Sequence, residues 1–322
     1  MPHRAVVLVN RNARGLRTAN ALHRELAGLA EVRWVETHTL GDLAAATRDL
    51  PREPIEWVVF AGGDGTVMAG LSAVVSAYEA AGRPLPEFAI VPAGTVSTIA
   101  KNLDLPRRGV SHARRLLTSA LAGRAHIVRH PTLRVRDAAG GHRIGFIFGT
   151  GLVAQFFDLY DALPDPNAAS AAKLVARLFA GAFTGSALAR RVLTPLPIKL
   201  EIDGNALHHT RYSLIVSSTL TDVGLHLRPT FRAGERDDRL HVVASTREAV
   251  NLALQLPGVL GGTPLRGAGH VDALAPRFRV QFASAQIRSY VLDGDRIDAG
   301  PHGGDAWVEV ELGPLVGLAG RA

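Results

Sequence analysis

Residues 55–66 read Ile-Glu-Trp-Val-Val-Phe-Ala-Gly-Gly-Asp-Gly-Thr. The apolar run 55–60 has the length of a buried strand, and positions 67–80 that follow the glycines have helical spacing. Gly62, Gly63 and Gly65 therefore stand at a strand-to-helix junction. Glycines there permit positive φ and close backbone approach, so that successive N–H groups can face a phosphate near a helix N-terminus. Asp64 repels a phosphate and points instead to a metal or proton role. A plain tight turn is the competing reading, and it accounts poorly for the whole string Gly62-Gly63-Asp64-Gly65-Thr66.

Outward from this junction the pattern repeats. Strand-like runs at 5–10, 31–36 and 87–91 alternate with helical patterns at 17–29, 40–50, 96–103 and 111–122. Such alternation predicts βαβ units and a parallel, Rossmann-like sheet. The run 87–91 ends in Pro92-Ala93-Gly94-Thr95, a second strand-end loop. Two such loops side by side make a crevice at the carboxyl edge of the sheet, the usual ligand position in open α/β folds. Neither loop has the G-x-x-x-x-G-K-[ST] pattern.

After Gly123 the texture becomes β-type alternation, at 127–135, 143–148, 198–202, 211–217, 240–243, 271–274, 278–282 and 308–312, with one helical insertion at 168–191. Short strands at this spacing predict an antiparallel sandwich. The expected fold class is thus an α/β N-terminal domain over 1–124 and a mainly antiparallel β-sandwich C-terminal domain over 125–322. The last strand, about 308–318, is free to return to the first domain.

Composition narrows the chemistry. Among 322 residues there is no cysteine, which excludes disulfides, thiolate metal sites and a Cys nucleophile. The formal charge of +7 favours anionic partners, although nearly all of it is arginine, the only lysines being Lys101, Lys173 and Lys199. No aromatic-interleaved basic motif supports nucleic acid binding. The thirteen histidines lack ligand spacing, and His208 and His209 adjoin at an expected strand edge, pointing opposite ways, so all are read as solvated surface. No G-x-S-x-G elbow is present. The start of the chain has no secretory leader pattern, and the apolar stretch 178–189 is too short to span a bilayer, so a cytoplasmic protein is expected. In 168–191 one stripe carries Ala171, Leu174, Val175, Leu178 and Ala182, with Lys173, Arg177 and Thr184 on another. That pattern suits either a core helix or one lying at a membrane interface.

Taken in order, these motifs resemble the diacylglycerol kinase catalytic-domain family, which includes sphingosine kinases and bacterial lipid kinases and is distantly related to NAD kinases. Residues 9–15 resemble its opening Asn-Pro-x-(Ser/Ala)-Gly loop, with Arg11 where proline is usual, and residues 62–66 are its GGDGT signature unchanged. Residues 92–101 correspond to its second loop, with Val96-Ser97-Thr98 where Gly-Asn-Asp is common. Phe148-Gly149-Thr150-Gly151 resembles the glycine pair opening the family's second domain, with Val153 where Asp is common. Asp237-Asp238 stands in place of Asp-Gly, and Asp293-Gly294-Asp295 in place of a late Asp-Gly-Glu.

The resemblance implies an ATP- and Mg²⁺-dependent lipid kinase acting on diacylglycerol or a related lipid at the membrane surface, with its active site in the interdomain cleft. It places Asn10, Gly62, Gly63, Gly65, Thr66, Gly94, Thr95 and Ser97 around the nucleotide. Asp64 and Asp295 become the catalytic base and the metal-linked carboxylate, in either order, and Asp237 a holder of structural Mg²⁺. Turns are the plain alternative for Asp237-Asp238 and for Asp293-Gly294, the latter a strong hairpin signal. Localisation follows as cytoplasmic, peripheral at the inner membrane face, and a homodimer is left open. An NAD kinase, or a catalytically weak nucleotide- or lipid-binding homologue, is the alternative function. On this reading Asp64→Ala abolishes transfer and leaves the melting temperature nearly unchanged.

Overall fold

The structure, a computed structural model, describes residues 2–12, 16–92, 98–103, 110–283, 288–300 and 306–320. The chain forms two compact units, Met1–Pro131 with Leu315–Ala322, and Thr132–Pro314.

The first unit runs β1 (Ala5–Asn10), α1 (Leu16–Leu26), β2 (Val32–Thr37), α2 (Leu40–Arg48), β3 (Trp57–Gly62), α3 (Asp64–Ala80), β4 (Glu87–Pro92), α4 (Thr98–Asn102) and α5 (Val110–Leu121). The strands lie in the order β2-β1-β3-β4, all parallel, as the alternating pattern predicts. Both faces are covered, which is why the strands read as unbroken apolar runs. Ala5, Val7, Val9, Trp57 and Val59 pack with Leu22 and Leu26 of α1 and Ala113 and Leu117 of α5. Residues of opposite parity line the other face, where the Phe60 and Phe88 rings stack 5.6 Å apart. There Gly70 of α3 leaves the space that Phe60 fills, for a Cβ at Gly70 would lie 2.5 Å from the ring.

The second unit opens within β5 (Ile127–Asp137), followed by β6 (His142–Gly145), β7 (Ile147–Gly151), α6 (Leu152–Asp161), α7 (Ala168–Phe183), α8 (Ala187–Leu193) and β8 (Leu196–Ile202). After β9 (Asn205–Ala206), β10 (Arg211–Tyr212), β11 (Leu214–Ser218) and β12 (Leu240–Ser245) comes α9 (Ala249–Leu260). It closes with β13 (His270–Ala275), β14 (Arg277–Phe282), β15 (Ser289–Leu292), β16 (Asp295–Asp298) and β17 (Ala306–Ala319), whose end pairs Leu318 with Phe88 in the first unit's sheet. One antiparallel sheet has the order β13-β12-β11-β7-β15-β16, and β10, β8, β14 and the first part of β17 lie side by side in another. Phe148 of β7 meets Phe278 of β14 edge-on at 5.4 Å and stacks near Tyr290 of β15, filling the space of a sandwich.

Four features depart from the sequence reading. The expected strand 143–148 is broken at Phe146, because the buried carboxylate of Asp293 accepts hydrogen bonds from Phe146 N (3.0 Å) and Ile147 N (2.8 Å). The single helical insertion is two helices, α7 and α8, parted at Gly185 with φ +65°, and α6 and α9 stand outside it. Of the two readings of the α7 stripe, the core one holds and is no departure, since Ala171 is buried and Leu174, Leu178 and Ala182 cluster with Val192, Leu252 and Ala253 of the neighbouring helices. His241 is fully buried rather than solvated: its Nδ1 accepts from Arg232 N at 3.2 Å and its Nε2 lies 3.1 Å from Asp272 Oδ1. The rings of His208 and His209 also lie on one side, 3.9 Å apart.

Gly70→Ala tests the packing of α3 on its sheet. Alanine is favoured over glycine in a helix by about 1 kcal/mol, yet the added methyl meets the Phe60 ring, an overpacking cost of roughly 1–3 kcal/mol. Urea unfolding is expected to show a net loss of stability.

Candidate functional site

Strand register assembles the site. Asn10 of β1 pairs with Thr37 of β2, Val9 with Ala61, and Gly62 with Pro92 of β4, so the strands end together at one edge. The chain leaves each strand there. Asn10 Oδ1 turns the chain by accepting from Asn12 N (2.9 Å), and Asn12 Nδ2 donates to His38 O (2.6 Å). Arg11, where proline is common in the resembled loop, donates its backbone N–H to Thr37 O at 2.9 Å, a bond proline could not make. Beyond β2, Thr39 and Asp42 form a capping box that fixes the entry to α2: Asp42 N donates to Thr39 Oγ1 (3.0 Å), and Thr39 N to Asp42 Oδ2 (2.9 Å). His38 N also donates to Asp42 Oδ2 (2.9 Å), and the His38 amide first, then that of Thr39, holds the Asp42 carboxyl below its ordinary range.

A cavity of about 160 Å³ opens at this edge. Leu8, Leu40, Leu43 and Phe60 give it apolar walls, and Asn10, Thr37, Thr39 and Thr66 give it polar groups. Ligand sites commonly begin near 300 Å³, so this space suits one moiety of a larger ligand. Asn10 and Thr66, singled out from sequence, meet here. Thr37 and Thr39 escaped that reading, although the Thr39-x-x-Asp42 capping box behind a strand was a visible signal for a fixed loop.

In residues 62–66 Gly62 works by close approach rather than by positive φ. None of the three is among the residues with positive φ. Gly63 is the N-cap of α3 with φ −89° and ψ −175°, and the helix begins at Asp64, earlier than the expected 67. Thr66 folds back over Gly62, where a Cβ would lie 2.5 Å from its side chain. The first-turn amides of α3 lack intrahelical acceptors, as at any helix start, and present the donors an anion needs.

Asp64 is tied to the following loop. Its Oδ2 accepts from Thr98 N (2.8 Å) and its Oδ1 from Ile99 N (3.3 Å), so the carboxylate sits at the first turn of α4. Burial raises its pKa above the ordinary 3.8, opposed by those two amides and by the nearby charge of Lys101. A carboxylate with raised proton affinity suits acid–base work. Gly94, Thr95 and Ser97 lie outside the described residues.

The remaining candidates belong to the second unit. Asp295 opens β16 and is exposed, behind a turn in which Asp293 has φ +49° and Gly294 φ +93°. The hairpin reading of Asp293-Gly294 therefore holds, and Asp293 spends its carboxylate on the Phe146 and Ile147 amides. Asp237 is exposed in the loop before β12, beside Asp238, whose carboxylate pairs with Arg236 at 3.0 Å. Among the described residues no three His, Asp or Glu side chains are grouped to hold a metal. Gly149 and Gly151 are explained by packing: a Cβ at Gly149 would meet Val153, and one at Gly151 (φ +73°) would meet Ser213 O.

Residues 4–129 match the family model described as the diacylglycerol kinase catalytic domain. The match lies in the first unit, and residues 130–322 stand outside it. No curated protein matches the sequence. Among solved structures, a diacylglycerol kinase from Bacillus anthracis str. Sterne is 13% identical with a TM-score of 0.62, over 99% of this chain and 97% of that one. A candidate diacylglycerol kinase of the same organism is 14% identical with a TM-score of 0.70, over 99% and 98%. Yeast NADH kinase, solved with NADH, is 12% identical with a TM-score of 0.51, over 100% and 84%. These likenesses show the fold: an α/β unit and an antiparallel β unit, as in diacylglycerol and NAD kinases. The matched family and the similar structures are kinases, which supports a phosphotransferase.

The bonds from Asp64 change one expectation. Without this carboxylate, Thr98 N and Ile99 N lose their acceptor, at roughly 1–3 kcal/mol for a buried group. Asp64→Ala is therefore expected to lower the melting temperature measurably as well as to abolish transfer, while Asp64→Asn, which keeps one acceptor oxygen, lowers it less. Titration adds a second readout. The folded chain holds the Asp64 proton more tightly than the unfolded chain, so the stability this contributes is full below 3.8 and is lost as pH rises through the folded pKa. The wild type should lose ground to Asp64→Asn over that window in urea unfolding; a flat difference would refute the burial effect.

Proposed function

We propose that the protein is an ATP-dependent lipid kinase that phosphorylates a hydroxyl of diacylglycerol or a related lipid. The observation that carries this reading is the match of residues 4–129 to the diacylglycerol kinase catalytic domain, with Asn10 and Thr66 on one cavity at the carboxyl edge of the sheet. The apolar walls with threonine and asparagine groups suit the flat base and ribose of a nucleotide. The phosphates then run toward the start of α3, where Gly62, Gly63 and Gly65 keep side chains out of the way. The acceptor hydroxyl gives its proton to a carboxylate, Asp64 or Asp295, as its oxygen bonds to the γ-phosphorus and the bond to the β-phosphate breaks, releasing ADP.

Magnesium fits the first unit in one limited sense. A nucleotide-borne Mg²⁺ needs only one or two carboxylates beside phosphates and water. Each Asp64 oxygen takes one amide hydrogen bond and keeps further acceptor capacity. When bound, the ion would neutralise phosphate charge. The surroundings of Asp237 give no comparable donor set among the described residues, and no step is assigned to it. No helix among the described residues is long and apolar enough to cross a membrane. A bilayer substrate is therefore met at a surface, in keeping with a cytoplasmic enzyme peripheral to the inner membrane face.

The test is labelled ATP with purified protein, Mg²⁺, and a panel of diacylglycerol, sphingoid base, phosphatidylglycerol and NAD. Label on a lipid is expected. Label on NAD alone would move the chain to the NAD kinases, and tight ATP binding with no transfer would make it a binding homologue. The cavity has its own probe. Ala69 lines it from α3, and Ala69→Leu should raise KM for ATP by about tenfold, equivalent to about 1.4 kcal/mol, with little change in melting temperature. An unaltered KM would place the nucleotide elsewhere.

A further inference from the structure

Helix α9 has twelve residues and no charged side chain. Its inner side is accounted for, since Leu252 and Ala253 are buried against α7 and α8. Its outer side is not polar. Val250 and Leu254 are 45% and 62% exposed, Pro257 is exposed one turn further on, and Leu260 at the end is 46% exposed. Positions 250, 254 and 257 recur at the spacing of one helical stripe. A solvent-facing stripe in a globular protein is ordinarily polar, so this one calls for a cover.

The surroundings show the charge of that cover. Arg266 is clasped to the middle of α9, its N–H donating to Gln255 Oε1 (3.0 Å) while Gln255 Nε2 donates to Arg266 O (3.3 Å). Arg228 is held at the far end, its N–H donating to Val259 O at 2.9 Å. Both arginines are exposed, and neither forms an ion pair among the described residues. Arg247 precedes the helix, next to Glu248, which is the one acidic residue between 247 and 270. The packed partners add to the imbalance: residues 168–193, spanning α7 and α8, include Lys173, Arg177, Arg190 and Arg191 and no acidic residue.

We propose that the outer face of α9 docks on an anionic lipid bilayer, with Val250, Leu254 and Leu260 entering the headgroup boundary and Arg228, Arg247 and Arg266 meeting the negative headgroups. An apolar stripe rimmed by arginine is the composition that binds such surfaces. A second copy of the chain is a poorer occupant, because a two-fold contact through this face would set arginine against arginine. The choice of a bilayer over an acidic protein rests on the lipid kinase reading, which brings the enzyme to a membrane.

Co-sedimentation of the full chain, without ATP, on vesicles of phosphatidylcholine alone or mixed with phosphatidylglycerol tests the proposal. Sedimentation with the mixed vesicles, weakened by salt and absent on phosphatidylcholine alone, is expected. Leu254→Asp and Arg266→Glu, both at exposed positions, should each weaken binding by about tenfold with unchanged melting temperatures. No binding to mixed vesicles, or variants that bind like the wild type, would overturn it. So would Leu254→Asp dissociating a dimer while leaving vesicle binding intact. A chain that phosphorylates a short-chain lipid dispersed in detergent yet ignores vesicles would sink the surface alone. Vesicle binding with no transfer to any lipid supports the surface and sinks the kinase reading.

Discussion

Parallel strands cannot be joined by tight turns, so each strand of the first unit must return through a helix and begin again at the same edge. Everything at the candidate site depends on that constraint. The register that sets Asn10 beside Thr37, and Gly62 beside Pro92, brings loops of distant sequence to one line. Helices then start where strands end, and their unpaired amides face the same space. The cavity beside Asn10 and Thr66 is a product of the register, since its lining comes from three successive strand-to-helix passages.

Within that frame Asp64 has two duties that pull its protonation in opposite directions. Burial disfavours the anion, while the amides of Thr98 and Ile99 stabilise it. The net effect is a carboxyl with raised proton affinity that also anchors the start of the next helix. Its removal cannot be a purely chemical change. The Gly62–Thr66 contact has the same double character, because glycine at 62 is what lets the Thr66 side chain fold back beside the cavity.

The second unit follows a different logic, in which side chains settle where strands begin and end. Asp293, on a turn whose positive φ Asp tolerates, reaches the amides of Phe146 and Ile147, which stand far from it in sequence, and so separates β6 from β7. The helices α7, α8 and α9 bury their apolar stripes on one another. Mutual burial covers the Leu174–Leu178–Ala182 stripe of α7 and leaves α9 with an apolar side to spare.

Local patterns were readable from the chain alone. Apolar runs and helical spacing marked the strands and helices of the first unit to within a few residues, because both periods are properties of adjacent positions. The glycine string and the ordered motifs led to the kinase family for the same reason. The sequence did not show that α3 starts at Asp64, that this aspartate holds amides 34 residues later, that Thr37 and Thr39 border the cavity, or that His241 is buried. Each of these depends on which segments come together, and a spacing rule carries no information about partners contributed by another strand or loop. The sequence by itself determined the elements of the first unit, their alternation and the chemistry on offer at residues 62–66. Only the tertiary structure decided which amides that carboxylate meets and which helix keeps an uncovered apolar face, because hydrogen bonding and burial are properties of neighbours in space.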